Sequence, residues 1–282
     1  MLLEAATKAI VYAALMPVIG AAATYWCVWL RLSGDARASG ETMERSLRRV
    51  GLVASTLLVS GLLLRAWAHT AAAFGVRDAF SPEQLELMAI ESAWGGHWQW
   101  QLAAAVATLA SYVAVRPGRR TGWAVAGALG VATCLTLTLT GHAAGSPLRM
   151  ALHTTHLVGA GMWLGTLSVV WWMGRTATGL RLALYRAFSA VALFAVGAVA
   201  AAGVVVAWLY VGVVSNLWTT GYGRTLVVKL TLVAAIVLCG FLNRRRVGRT
   251  GDGEAPSLAG VELTLTLAAL IVTAVLTEVG HP

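Results

Sequence analysis

Residues 187–223 decide the fold class, with the sequence AFSAVALFAVGAVAAAGVVVAWLYVGVVSNLWTTGYG. These 37 residues contain no Asp, Glu, Lys or Arg. About 20 consecutive apolar residues are enough for a helix to cross the hydrocarbon core of a bilayer. The stretch therefore predicts a transmembrane helix followed by an apolar loop.

Composition extends this interpretation to the whole chain. Of the 282 residues, 58% are hydrophobic and 12% are charged, whereas a soluble domain carries roughly 25% charged residues. Too few charges remain to cover a water-exposed surface, which excludes a soluble enzyme. Seven further stretches are apolar and nearly uncharged: 9–30, 50–68, 92–115, 121–148, 150–174, 225–243 and 255–279. We predict an all-α membrane protein, a single transmembrane domain of residues 1–282 with eight transmembrane helices.

The basic residues predict the orientation of these helices. The connections after the first, third, fifth and seventh helices hold 15 of the 21 Lys and Arg residues: Arg31, Arg37, Arg45, Arg48, Arg49, Arg116, Arg119, Arg120, Arg175, Arg181, Arg186, Arg244, Arg245, Arg246 and Arg249. We call this end the arginine-rich side. Positive connections stay in the cytoplasm, so both termini are expected in the periplasm of a multi-pass protein of the bacterial inner (plasma) membrane. The net charge of +9 is then a topology signal, and we expect membrane lipid rather than nucleic acid as a partner.

The connection of residues 70–93 is long, acidic and, in this topology, periplasmic. Between residues 76 and 91 it holds Asp78, Glu83, Glu86 and Glu91 against the single Arg77. An acidic rim attracts cations. An ordinary solvated loop helix explains the same composition.

A short internal repeat predicts how the helices are arranged. The fourth and eighth predicted helices both end in the pattern T-x-x-G-H, at residues 138–142 and 277–281, which lie 139 residues apart. The pattern suggests a parallel 4+4 repeat of residues 1–142 and 150–281, related by an axis along the membrane normal. Such a repeat would place a site between the two halves.

All six histidines lie at helix ends away from the arginine-rich side, at what we call the histidine side. Ionisable side chains near the bilayer interior are costly and mark functional sites. His153 and His156 share one helix face because they are three residues apart. The short connection 142–153 holds His142 near them, and the repeat adds His281. We predict a metal site formed by His142, His153, His156, His281 and His69, with His97 as a weaker candidate.

The neighbouring residues favour copper as the metal. Imidazole binds copper, zinc, iron and nickel, and soft thioether ligands shift the preference towards copper, especially Cu(I). Met16, directly before Pro17, is a weaker ligand candidate. Glu278 is another, as a ligand or as the partner of a ligand. Lys229 lies inside an apolar helix, so we expect it to extend to the interface or to pair with Glu278 or the site.

Two motifs resemble a known family. The first is Gly141-His142-Ala-Ala followed by His156-Leu-Val-Gly-Ala-Gly-Met-Trp163-Leu-Gly165, and the second runs from Tyr222-Gly223-Arg224 through Lys229 to Asn243-Arg244. Together they resemble the copper resistance protein D family. The resemblance covers about residues 140–245 well and the first half by architecture alone. It implies that His142, His156, Trp163, Gly165 and Lys229 are family-type residues, and that a periplasmic copper carrier is a partner.

Three functions from different classes remain open on the sequence. The leading one is a copper-handling membrane protein that takes a copper ion from the periplasm at the histidine side, for copper transport or copper resistance. The second is a membrane electron-transfer protein in which two of the histidines ligate haem b. The third is an assembly factor that delivers copper to a respiratory oxidase. No nucleotide-binding or catalytic motif is present, so we expect that the protein is not an enzyme.

Overall fold

The computed structural model describes residues 2–32, 40–141, 143–249 and 258–280. Within these residues the chain is helical and contains eight long helices. They are α1 (Leu2–Arg31), α2 (Gly40–Phe74), α3 (Ala93–Ala114), α4 (Arg120–Leu137), α5 (Pro147–Thr176), α6 (Arg181–Val211), α7 (Gly221–Arg249) and α8 (Ala259–Leu276). The all-α prediction is thereby confirmed.

Six of these helices are long and apolar enough to cross a membrane: α1, α2, α5, α6, α7 and α8. The outer face of α6 is apolar: Leu193, Phe194, Val204 and Trp208 are all more than half exposed. An apolar face of this size suits lipid rather than water. The eight-span count, the periplasmic termini and the 4+4 repeat stay predictions.

Several helix boundaries differ from the predicted stretches, and two of these differences have a clear cause. Helix α1 begins at Leu2 rather than at residue 9, because Glu4 and Lys8 find partners on other helices and do not end the helix. Helix α4 ends at Leu137 rather than at residue 148. The chain turns there through Gly141, whose φ of +93° is a left-handed conformation that glycine adopts without strain.

Helix α1 lies at the centre of the bundle. It packs against α2, α4, α5 and α8, while successive helices form the antiparallel pairs α1–α2, α3–α4, α5–α6 and α7–α8. The short connections within each pair explain this neighbour pattern. A central α1 places its first turns, which carry Glu4 and Lys8, between the other helices rather than on the outer surface.

The crossing of α1 and α5 is the closest approach of the two halves of the chain. Gly165 lies so near α1 that a Cβ there would come within 1.9 Å of the Met16 carbonyl oxygen, and a Cβ at Gly20 would come within 2.2 Å of the Gly165 carbonyl carbon. Small residues permit such contact between helices in membranes. Helix α5 widens into a π-type turn over Gly161–Gly165 at this crossing. Turns of this type often occur at functional sites.

A cluster of aromatic rings fills the core near the arginine-rich side. Trp123 stacks on Tyr25 with ring centroids 4.6 Å apart, and Tyr112 meets Trp123 edge-on at 6.2 Å. The Tyr112 hydroxyl donates a 2.6 Å hydrogen bond to the Val18 carbonyl of α1. Because Gly51 has no side chain, the ring of Tyr112 packs directly on the α2 backbone. These contacts hold α1 to α2, α3 and α4.

Candidate functional site

His69 of α2 lies in a polar site at the histidine side. Its Nδ1 atom is 2.8 Å from Oε1 of Glu4 on α1, and its ring stacks on Trp94 of α3 with centroids 4.0 Å apart. A carboxylate that accepts a hydrogen bond from Nδ1 fixes the tautomer of a histidine and directs the Nε2 lone pair outwards. In neutral His69 this contact leaves Nε2 as the nitrogen that can bind a metal.

Arg65 supports this site one helical turn away. Its buried guanidinium donates to Oε1 of Gln101 at 3.0 Å and to the Thr140 hydroxyl at 3.2 Å, and it lies 5.7 Å from the Trp94 ring centroid. Gln101 also donates to the Thr140 hydroxyl at 3.0 Å. Buried polar groups of this kind are stable only when they are hydrogen-bonded. The network fixes Trp94, and through it the plane of the His69 ring.

An ion pair joins α1 to the turn that follows α8, beside the His69 site. The Lys8 ammonium contacts Oε1 of Glu278, and the two side chains are only 16% and 14% exposed. Lys229 was expected to extend to the interface or to pair with Glu278 or the metal site. In the structure the Glu278 carboxylate contacts Lys8, and the alternatives for Lys229 stay predictions. Glu278 is thus placed as the partner of a cation on α1.

His153 and His156 of α5 form a second site that faces α6. Nδ1 of His156 is 3.1 Å from the Val199 carbonyl, so this nitrogen carries the hydrogen and Nε2 the lone pair. Gly203 makes room for the ring, because a Cβ there would meet Cε1 of His156 at 3.3 Å. The His153 ring lies 5.8 Å from the ring of Tyr210. Both imidazoles therefore lie between helices rather than in open lipid.

Charged and aromatic side chains surround this histidine pair. The Arg149 guanidinium is 5.3 Å from the Tyr210 ring centroid, and the Tyr222 ring of α7 is 6.4 Å from that of Tyr210. Lys229 of α7 is within electrostatic range of His156. Cations and tyrosines therefore lie near this histidine pair.

The other predicted ligands have different surroundings. His97 is exposed, and its Nδ1 lies 3.0 Å from the Ala93 carbonyl of its own helix. Met16 is buried in the core at the α1–α5 crossing. His142 and His281 lie outside the described residues. Within the described ranges, no three His, Cys, Asp or Glu side chains are grouped so that they could hold a metal ion. The five-histidine cluster therefore stays a prediction.

Sequence reasoning missed the residues that position the histidines. Glu4, Arg65, Trp94 and Gln101 were not predicted as site residues, although they contact His69 or its support. One signal was available for Arg65, since it is the only charge that interrupts the apolar stretch 50–68. A lone arginine in such a stretch needs polar partners inside the protein.

The fold and the sites define a helical membrane protein with two partly buried, histidine-containing polar sites. Family comparisons identify which one. Residues 2–148 match the model of the copper resistance protein D-like N-terminal domain, and residues 182–276 match that of copper resistance protein D. The chain belongs to the copper resistance protein D family.

One curated relative extends this result. The chain is 27% identical over 296 aligned residues to the copper transport protein CutJ of Bacillus subtilis (strain 168). The alignment covers 99% of this chain and 53% of the relative, so the chain spans about half the length of that protein. No solved structure matches the chain. Family membership supports a copper-handling role and points to a non-enzymatic one.

Proposed function

We propose that this protein binds a copper ion at imidazoles on the histidine side and moves it into or across the membrane. The observation that carries this proposal is the contact made by the Nδ1 atom of His69 and of His156. In each, Nδ1 is engaged, by the Glu4 carboxylate or by the Val199 carbonyl. Nε2 is then the nitrogen left to bind a metal. Both histidines therefore have Nδ1 engaged and Nε2 available. Together with membership of a copper resistance family, this supports copper as the transported substrate.

The two sites differ in charge, and this difference suggests an order of use. The His69 site contains the Glu4 carboxylate, which favours a nearby cation, whereas the His153 and His156 pair faces Lys229 and Arg149, which repel one. We therefore assign first capture to His69. Transfer to the second site requires additional donors, for which His142 and His281 remain the candidates. Met16 at the α1–α5 crossing is the proposed soft ligand further along the path.

The proposed topology places both sites at the periplasmic surface of the inner membrane. The arginine-rich connections are cytoplasmic in this arrangement, and the acidic connection around Glu83 and Glu86 lies beside the entry. A negative rim raises the local concentration of cations. It also offers a docking surface to a periplasmic copper carrier, the partner that we propose delivers the ion.

Copper titration of the purified protein against a competing chelator tests the proposal. We expect His69→Ala and His156→Ala each to weaken copper binding, while the matched variant His97→Ala leaves it unchanged because His97 is exposed and contacts its own helix. Glu4→Gln removes only the partner of His69, and loss of such a partner typically costs about 10–100-fold in metal affinity. Equal affinity in all four variants and the wild type would disprove the assignment.

Two further measurements separate the proposed activity from the other functions. Copper accumulation by sealed vesicles that contain the protein distinguishes transport from binding alone. A visible spectrum of the same preparation distinguishes copper from haem, because haem b gives a strong absorption band that copper-imidazole sites do not. A haem spectrum without copper would replace the proposal with electron transfer.

A further inference from the structure

Glu262 is a buried carboxyl group at the opposite end of the molecule from the histidines. It lies in the first turn of α8, and the residue is only 2% exposed. Nδ2 of Asn243 on α7 donates to its Oε2 at 3.4 Å, and Oδ1 of Asn243 accepts from the Leu258 backbone N–H at 3.3 Å. The site is thus built by two helices and is separate from the proposed copper sites.

A cavity of about 170 Å³ lies beside this carboxyl group, between α5, α6, α7 and α8. Its wall is formed mainly by apolar and aromatic side chains, among them Trp163, Tyr185 and Phe188. Glu262 itself is part of the lining. Gly240 leaves space for the carboxyl group, because a Cβ at that position would approach Oε1 at 3.1 Å. A buried water needs polar partners as well as space, and the cavity offers both at the end where Glu262, Asn243 and Arg244 line it.

The ionised form of Glu262 lacks a counter-charge. In the described ranges, no Lys, Arg or His forms an ion pair with it. The N-terminus of α8 stabilises a carboxylate by about 0.3–1 kcal/mol at exposed positions and by about 2 kcal/mol when partly buried, whereas burying an ion costs several kcal/mol. The helix end therefore does not offset the burial, and an ionised Glu262 would need a cation bound close to it.

The ligands available around Glu262 indicate which cation it could bind. A metal ion needs several ligands, but Asn243 already uses both ends of its amide, and no group of three ligating residues occurs in the described part of the chain. Two helices contribute titratable or charged side chains around Glu262. Helix α6 contributes Tyr185, with Arg181 beside it, and α7 contributes Arg244. Helix α5 contributes only uncharged side chains to the lining. A single carboxyl oxygen suffices for a proton.

We propose that Glu262 is a proton-binding site that exchanges with the arginine-rich side of the membrane through this cavity. In the exchange, Glu262 as a carboxylate takes one proton from water in the cavity and becomes a neutral carboxylic acid, and release reverses the step. The site lies apart from the copper-binding histidines and does not depend on the metal that they bind.

Infrared spectroscopy of the full chain in phosphatidylcholine vesicles tests this proposal without copper. A protonated carboxyl group gives its own C=O stretching band, and we expect wild-type protein to show one that titrates with pH and is lost in Glu262→Gln. Glutamine keeps the shape of the side chain and a hydrogen bond to Asn243, so the variant is expected to fold. The control Glu83→Gln removes an exposed carboxyl group and is expected to retain the band.

Two further variants keep the result interpretable. Glu262→Asp is expected to keep a shifted band, and Gly240→Ala, which presses a methyl group on Oε1, is expected to change the pH at which the band titrates. Identical carboxyl bands in wild type and Glu262→Gln would overturn the proposal. A second outcome would also overturn the proposal: benzylammonium stabilises the wild type but not Glu262→Gln, and no carboxyl band titrates. The cavity would then bind organic cations rather than a proton. If the wild-type protein does not bind copper, the proposed function is refuted, but the assignment of Glu262 is not.

Discussion

Replacing Gly165 by alanine tests whether the two halves of the chain depend on the α1–α5 crossing. The new Cβ would lie 1.9 Å from the Met16 carbonyl oxygen and 3.2 Å from the Gly20 Cα. A backbone oxygen cannot move as a flexible side chain can, so the helices must separate by about 1 Å. Overpacking of this kind costs about 1–3 kcal/mol, whereas alanine in a helix otherwise gains about 0.5–1 kcal/mol over glycine. We expect a net loss of up to about 2.5 kcal/mol.

Gly197 in α6 provides the matched control, because a Cβ at that position meets no atom within 4 Å. Gly197→Ala is therefore expected to leave the free energy of unfolding unchanged or to raise it by up to about 1 kcal/mol. Unfolding of both variants in mixed detergent micelles with increasing dodecyl sulfate, followed by circular dichroism, gives the comparison. If Gly165→Ala proves as stable as Gly197→Ala, the close crossing of α1 and α5 does not exist.

Three further predictions concern ion pairs, a buried hydrogen bond and ion capture. Lys8→Met leaves the mostly buried Glu278 without its cation and is expected to cost about 3–5 kcal/mol of unfolding free energy. The control Arg45→Met breaks an exposed ion pair and is expected to cost about 0–1 kcal/mol. Equal losses in the same unfolding assay would refute the central position of α1. Tyr112→Phe removes the bond to the Val18 carbonyl and is expected to cost about 1–2 kcal/mol, and an unchanged midpoint would show that the bond is not made. Glu83→Gln combined with Glu86→Gln is expected to slow copper capture at low salt, measured by stopped flow, with little change in affinity; an unchanged rate would mean that the loop has no part in capture.

The long helices were predictable from the sequence where charge is absent. Helix α6 follows from residues 187–223 because nothing but a membrane span accommodates so many uncharged apolar residues. The start of α1 was not predictable in this way. Glu4 and Lys8 resemble the end of a span in the sequence, but each has a partner on another helix, and such partners depend on tertiary packing. The end of α4 was missed because threonine and leucine continue an apolar pattern after Leu137, where the helix stops.

The candidate site was predictable only in its histidines. Their position on one side followed from the arginine-rich connections on the other, and the i, i+3 spacing of His153 and His156 gave their shared face. The groups that orient them are far away in the sequence: Glu4 lies 65 residues from His69, and Val199 lies 43 residues from His156. No local pattern identifies such pairs. Glu262 lies inside the apolar stretch 255–279, and no local pattern indicates its role, because its cavity is formed by four helices.

X-ray absorption at the copper edge of the purified, copper-loaded protein tests the central claim most directly. Imidazole rings bound to copper produce a characteristic multiple-scattering pattern, which we expect in the wild type and expect to weaken in His69→Ala and His156→Ala. Copper surrounded only by oxygen or sulfur ligands, or protein that retains no copper, would contradict the account.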